Sequence, residues 1–143
     1  MASTLKIDPQ RIKVVSPYVG GGFGSKLAVH AETILAAIAA RRLARPVKVA
    51  LTRRQIFHDV GVRPTSTQRI RLAAERDGML VALGHDATMH TNRHEEFVEA
   101  SALGTRSFYA APNRLTRHRL VPLDLLPGED LRAPGEAPGL LAL

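Results

Sequence analysis

The chain contains no cysteine, and aromatic residues make up only 4% of its 143 residues. Without thiols, disulfides, iron–sulfur ligation and thiolate zinc sites are excluded within the chain, so any redox relay has to lie elsewhere. Scarce aromatics leave few stacking platforms for single-stranded nucleic acid, and no helix-turn-helix or zinc-finger spacing is present. The longest strongly apolar run, Ile34 to Ala40, is far shorter than the roughly 20 residues of a membrane-spanning helix. Met1 to Thr4 lacks the basic and apolar regions of a signal peptide, which leaves a cytoplasmic or a periplasmic location equally open. Neither a membrane nor nucleic acid is therefore the expected partner.

What is present is enough apolar material, 45% of residues, for one domain spanning 1–143. The net charge of +7 points to an anionic partner: nucleic acid, a membrane surface or a phosphorylated cofactor. Charge alone does not choose among them.

Local pattern predicts an α+β fold. Arg11 to Ser16 alternates and carries two valines, a strand stopped by Pro17. A glycine loop at Gly20 to Lys26 leads into an alanine-rich helix over Leu27 to Ala44, and Pro46 precedes a second strand at Val47 to Leu51. This strand–helix–strand unit would suit parallel pairing. The stretch Thr52 to Pro64 reads as a loop with one helical turn at Arg54 to His58. Thr67 to Glu75 and Leu80 to Thr91 alternate on either side of Asp77-Gly78, a strong hairpin signal. A short helix at Glu95 to Leu103 and a strand at Leu115 to Val121, ended by Pro122, complete the regular elements. Residues 122–139 hold four of the nine prolines and three glycines, so an irregular loop is expected there. The apolar Leu140 to Leu143 then looks like the first turn of a helix whose remainder is missing, so the chain reads as a fragment.

The chemistry concentrates in the glycine loop, GGGFGSK. Glycines between a strand and a helix let the backbone approach a ligand and turn several amides inward, a nest suited to anionic or metal-oxo oxygens. Lys26 and the positive end of the following helix add to that field. A chain reversal with no ligand is the plain alternative. The P-loop pattern fails, because counting from Gly20 its sixth and eighth positions are Ser25 and Leu27. The dinucleotide fingerprint also fails, meeting Ser25 or Leu27 at its last position.

The run SPYVGGGFGSK, residues 16–26, resembles the glycine–phenylalanine loop of the molybdenum-binding large subunits of the xanthine dehydrogenase and aldehyde oxidase family. LRAPGEAPG, Leu131 to Gly139, is similar to that family's later cofactor-site loop, in the form of bacterial three-subunit aldehyde dehydrogenases. The resemblance covers nearly the whole chain after about residue 10. It implies molybdopterin cytosine dinucleotide as cofactor, with iron–sulfur clusters and FAD on partner subunits or domains. The implied reaction hydroxylates an electron-poor carbon, with water as the oxygen source, and sends electrons through the clusters to flavin.

Carried over by position, the resemblance puts Gly21, Gly22, Phe23 and Gly24 against the cofactor, with Phe23 also able to line the substrate pocket. It places Arg132 beside the metal and the catalytic carboxylate, as a cofactor-binding and catalytic residue. Leu27 stands where purine-hydroxylating members carry a glutamate, which turns the expectation from purines toward aldehydes. The family's general-base glutamate and an upstream glutamine loop have no counterpart, so the isolated chain is expected to be inactive and to need the rest of its subunit.

His90 and His94, four apart beside Glu95 and Glu96, have zinc-like spacing on a helix, but no third ligand follows and a surface pair is the commoner case, so no metal ligand is assigned. The clusters Arg53-Arg54, Arg69/Arg71 and Arg114/Arg117/Arg119 fit a polyanion surface or, as we favour, subunit contacts. Such uncovered surfaces make self-association an expectation. The competing class is a free-standing basic domain that binds a phosphorylated ligand or nucleic acid.

Overall fold

The alternation on either side of Asp77-Gly78 folds as the sequence predicts. In the computed structural model, which describes residues 1–143, β1 (Ser66–Ala74) and β2 (Leu80–Asn92) pair antiparallel. Gly78 takes φ 91°, a conformation an L side chain rarely adopts, and the Asp77 carboxylate accepts the Met79 amide at 3.0 Å. The third strand, β3 (Asn113–Leu123), lies parallel to β2 and gives a mixed sheet of order β1-β2-β3. Parallel pairing needs a long crossover, and residues 93–112 supply it. Pro122 does not end β3; it sits on an edge strand, where a missing N–H is tolerated.

Side chains alternate between the two faces of this sheet. Leu83, His85, Ala87 and Met89 of β2 are all buried, on the face where Thr105 and His118 meet them. The crossover covers this face through side-chain bonds as well as packing: Thr105 Oγ1 lies 2.6 Å from His85 Nδ1, and the Ala102 amide donates to His118 Nε2 at 3.1 Å. The opposite face carries Arg69, Arg71, Asp86, Thr88, Arg117 and Arg119.

The helix expected at Glu95 to Leu103 does not form. Its backbone is drawn into bonds with the sheet: the Phe97 amide donates to Thr91 Oγ1 at 2.8 Å, and the same hydroxyl donates to the Glu95 carbonyl at 3.2 Å. Such bonds compete with the i→i−4 pattern. The only helix of the crossover is α4 (Thr105–Phe108). At the far end α5 (Glu136–Ala142) starts earlier than the apolar run suggests, with Pro138 in its first turn, where its absent N–H has no intrahelical role.

Strand pairing is confined to Gly61–Leu143, the second of two compact units; the first is Met1–Val60. The first unit holds α1 (Ala2–Leu5), a 3-10 turn at Pro9–Arg11, α2 (Ala31–Leu43) and α3 (Arg53–Asp59). The strands expected at Arg11 to Ser16 and Val47 to Leu51 have no ladder, because neither finds a partner with which to exchange backbone bonds. The α+β class holds, but its parallel pair is β2 with β3 and not the segments flanking α2. Helix α3 is the predicted helical turn extended at both ends by a capping box in which the Thr52 and Gln55 side chains each bond the other's backbone amide.

Candidate functional site

The glycine loop folds on itself before α2 begins. Ser25 and Leu27 amides donate to the Gly22 and Gly24 carbonyls at 3.1 Å each, two successive tight turns. Lys26 Nζ donates back to the Gly21 carbonyl at 2.7 Å, and His30 Nε2 lies 2.6 Å from the Ser25 carbonyl. These turns postpone the helix to Ala31, four residues later than the sequence suggests, with His30 as its extended N-cap. Lys26 is therefore folded onto the loop, and the free amides at the start of α2 belong to Ala31 and Glu32 rather than to the glycines.

Three residues of the loop have positive φ: Gly21 at 121°, Phe23 at 53° and Gly24 at 102°. A Cβ on Gly21 would lie 2.9 Å from the Phe23 ring, so glycine is required there by conformation and by space. Phe23 itself is 69% exposed, which rules out a core role within this chain. The internal bonds of the loop engage the carbonyls of Gly21, Gly22 and Gly24, whereas the amides of Gly21, Gly22, Phe23 and Gly24 make no bond to the protein. A run of unengaged amides in a backbone of alternating handedness can receive the oxygens of an anionic or metal-bound group.

The second loop, Leu131 to Gly139, lies in the other unit and is held from beneath. Arg63 donates to the carbonyls of Arg132 at 2.6 Å and Ala133 at 3.3 Å, and its guanidinium is ion-paired with Glu99. The same Glu99 oxygen accepts the Gly135 amide at 3.1 Å, while its other oxygen is buried with no bond to the protein. Ala133 and Gly135 both take positive φ, 57° and 82°, and a Cβ on Gly135 would stand 2.6 Å from the Ala100 carbonyl oxygen. With its backbone fixed in this way, the Arg132 side chain is exposed and makes no ion pair or hydrogen bond to the protein. Sequence reasoning missed Arg63 and Glu99. Neither sits in a motif, and the only hint in the chain is a carboxylate, Glu99, amid small apolar residues.

The other candidates divide. His90 is a buried β2 residue whose Nδ1 accepts the Thr65 amide at 3.2 Å, and His94 lies in the turn that follows, so the pair does not share a helix face. No group of three or more metal-ligating side chains comes together.

The whole chain, residues 1–143, matches the family model described as the molybdopterin cofactor-binding domain. The chain belongs to this family. It is 42% identical over 146 aligned residues to the aldehyde oxidoreductase molybdenum-binding subunit of Escherichia coli, an alignment covering 100% of this chain and 19% of that protein. A putative xanthine dehydrogenase molybdenum-binding subunit of Escherichia coli is 32% identical over 103 residues, covering 71% of this chain and 14% of that protein. Among solved structures, the aldehyde oxidoreductase of Desulfovibrio gigas superposes with a TM-score of 0.77 at 27% identity, covering 94% of this chain and 15% of that one. The chain thus spans about a fifth or less of the length of these molybdenum-family oxidoreductase subunits.

Proposed function

We propose that this chain supplies two cofactor-facing loops of the molybdenum subunit of an oxidoreductase that hydroxylates aldehydes to acids with water as the oxygen source. The observation that carries the reading is the glycine loop. Within a molybdopterin-binding domain, its turns engage the carbonyls and leave the amides of Gly21 to Gly24 available. The donor set fits oxygens and sulfurs of a metal-bound, electron-rich group, in the same way that preorganised amides stabilise developing negative charge elsewhere.

The cofactor, in the cytosine dinucleotide form, would supply the two-electron oxidation and the activated oxygen. The chain's own residues bind and orient. Gly21, Gly22, Phe23 and Gly24 present amides, and the exposed Phe23 ring is placed to cover a flat ligand or line a substrate pocket. Arg132 presents an exposed guanidinium that stabilises negative charge near the reacting carbon. Arg63 and Glu99 set the backbone from which Arg132 projects. Iron–sulfur and FAD subunits would carry the electrons away, and the general base would come from the remainder of the subunit.

Leu27 favours aldehydes over purines, since an exposed leucine offers no hydrogen bond to a heterocycle edge. The test is to assay the product of the complete reading frame with its partner subunits on an aromatic aldehyde and on xanthine. Aldehyde oxidation with little xanthine turnover is expected, and Leu27→Glu should narrow the gap. Efficient xanthine oxidation by the unaltered protein would refute the substrate assignment.

A further inference from the structure

The open face of the sheet carries an excess of guanidinium that the fold does not neutralise. Thr67, Arg69, Arg71, Asp86, Thr88, Arg117 and Arg119 border an open depression of about 320 Å³. The lone carboxylate is already occupied: Asp86 Oδ2 accepts from Arg71 at 2.9 Å and Oδ1 from Arg117 Nε at 2.6 Å. Hydrogen bonding from Arg117 leads the causes that hold the Asp86 carboxyl below its usual range. Arg69 and Arg119 remain without any ion pair or hydrogen bond to the protein, one on each side of β2.

We infer that this face docks an acidic polypeptide segment whose separate carboxylates engage Arg69 and Arg119. The register places Arg69 beside Asp86 and Arg119 beside Thr88, so the two free guanidiniums stem from strands roughly 10 Å apart. Asp86 between them is already held by Arg71 and Arg117, so an incoming carboxylate finds its free donors on either side, at Arg69 and Arg119. Carboxylates two residues apart on an extended chain are about 7 Å from each other, a span that two long flexible Arg side chains can meet from either side. The same face of β3 also exposes Leu115, at 53%, and Val121, at 39%. A polypeptide buries such apolar surface and a phosphodiester backbone does not, and no aromatic side chain lines the depression for base stacking.

The experiment uses residues 1–143 and a short fluorescein-labelled peptide alternating Asp with Ala, read by fluorescence anisotropy. Arg69→Gln with Arg119→Gln should weaken binding about tenfold, since both side chains are exposed and free and their loss leaves the fold intact. Removing the same charge elsewhere, with Arg41→Gln and Arg42→Gln on α2, should change affinity less than about twofold at physiological salt. A peptide with Asn in place of Asp should bind at least tenfold more weakly than the acidic one. The inference is overturned if the acidic peptide does not bind, if the Asn peptide binds equally well, or if both double variants lose affinity alike. Tighter binding of a DNA duplex that depends on Arg69 and Arg119 would reassign the face to phosphates. Dimerisation in sedimentation that the Arg69/Arg119 variant abolishes would reassign it to a second copy.

Discussion

The two loops are built by different means, and the units that carry them differ in the same way. In Gly61–Leu143 a sheet and its crossover bury Leu83, Met89 and Ala102 together with His85, Glu99, Ser101 and Thr105. In Met1–Val60 no residue is buried, and Val14, Val15, Leu35 and Leu43 are all largely exposed. The Arg132 loop is accordingly fixed by a half-buried ion pair and close backbone approaches, whereas the glycine loop is fixed by its own tight turns. Both need glycine, but for different reasons: conformation at Gly21 and Gly24 in the first loop, close backbone approach at Gly135 and Gly139 in the second.

The contrast is most easily broken at the glycines. A Cβ on Gly139 would fall 1.9 Å from the Ser101 carbonyl oxygen, so Gly139→Ala should cost about 3 kcal/mol or more in urea denaturation. Gly20→Ala, with nothing within 4 Å, should be close to neutral. Equal effects would mean that the close approach of α5 to the crossover is wrong.

Core truncation gives the next largest difference. Leu83→Ala, at a residue 2% exposed, should destabilise by about 3 kcal/mol, against less than about 0.5 kcal/mol for Leu35→Ala at 61% exposure. Comparable losses in thermal melts would show that the first unit has a core of its own.

Acid should act on the sheet unit first. Burial, followed by repulsion from His118, lowers the His85 pKa below 6.5, and burial followed by Arg106 lowers that of His118. A histidine whose folded pKa is depressed is held neutral when native, so the unfolded chain binds more protons. Its contribution is complete above pH 6.5 and is lost as pH falls from 6.5 through the lower folded values. The melting temperature should therefore drop on acidification below pH 6.5, and a flat profile between pH 7.5 and about 5 would contradict the buried-histidine arrangement. Depression of the Asp86 pKa adds a further loss only below its ordinary 3.8.

The smallest effect has the opposite sign. Ala44 closes α2 at φ 49°, where glycine is the usual residue, and Ala44→Gly should stabilise that helix by about 1 kcal/mol. Slower hydrogen exchange of the last α2 amides is the measurement; unchanged or faster exchange would argue against the left-handed cap.

These differences also explain what the sequence could reveal. The hairpin was readable because period-two alternation and Asp77-Gly78 are local signals; the capping pair Thr52 and Gln55, equally local, emerged only with the structure. The parallel pairing of β2 with β3 was not, since parallel partners are chosen by a crossover whose backbone bonds to Thr91 and His118 rather than forming the expected helix. The glycine loop stood out by composition, yet the turns that delay α2 to Ala31 depend on side-chain bonds from Lys26 and His30. Arg63 gave no signal and Glu99 only its place among small residues, because their role exists only once residues far apart in the chain are brought together.

The amides of Gly21 to Gly24 are proposed to hold the molybdenum cofactor. Gly22 tests it most cleanly: its φ is not positive, and the atom nearest to an added Cβ would be Lys26 Cβ at 3.4 Å, an ordinary van der Waals contact, so the fold tolerates substitution. Molybdenum content by mass spectrometry should be near stoichiometric in the complete subunit and strongly reduced in Gly22→Asp, whose carboxylate repels an electron-rich ligand. Full molybdenum occupancy in Gly22→Asp would contradict the assignment.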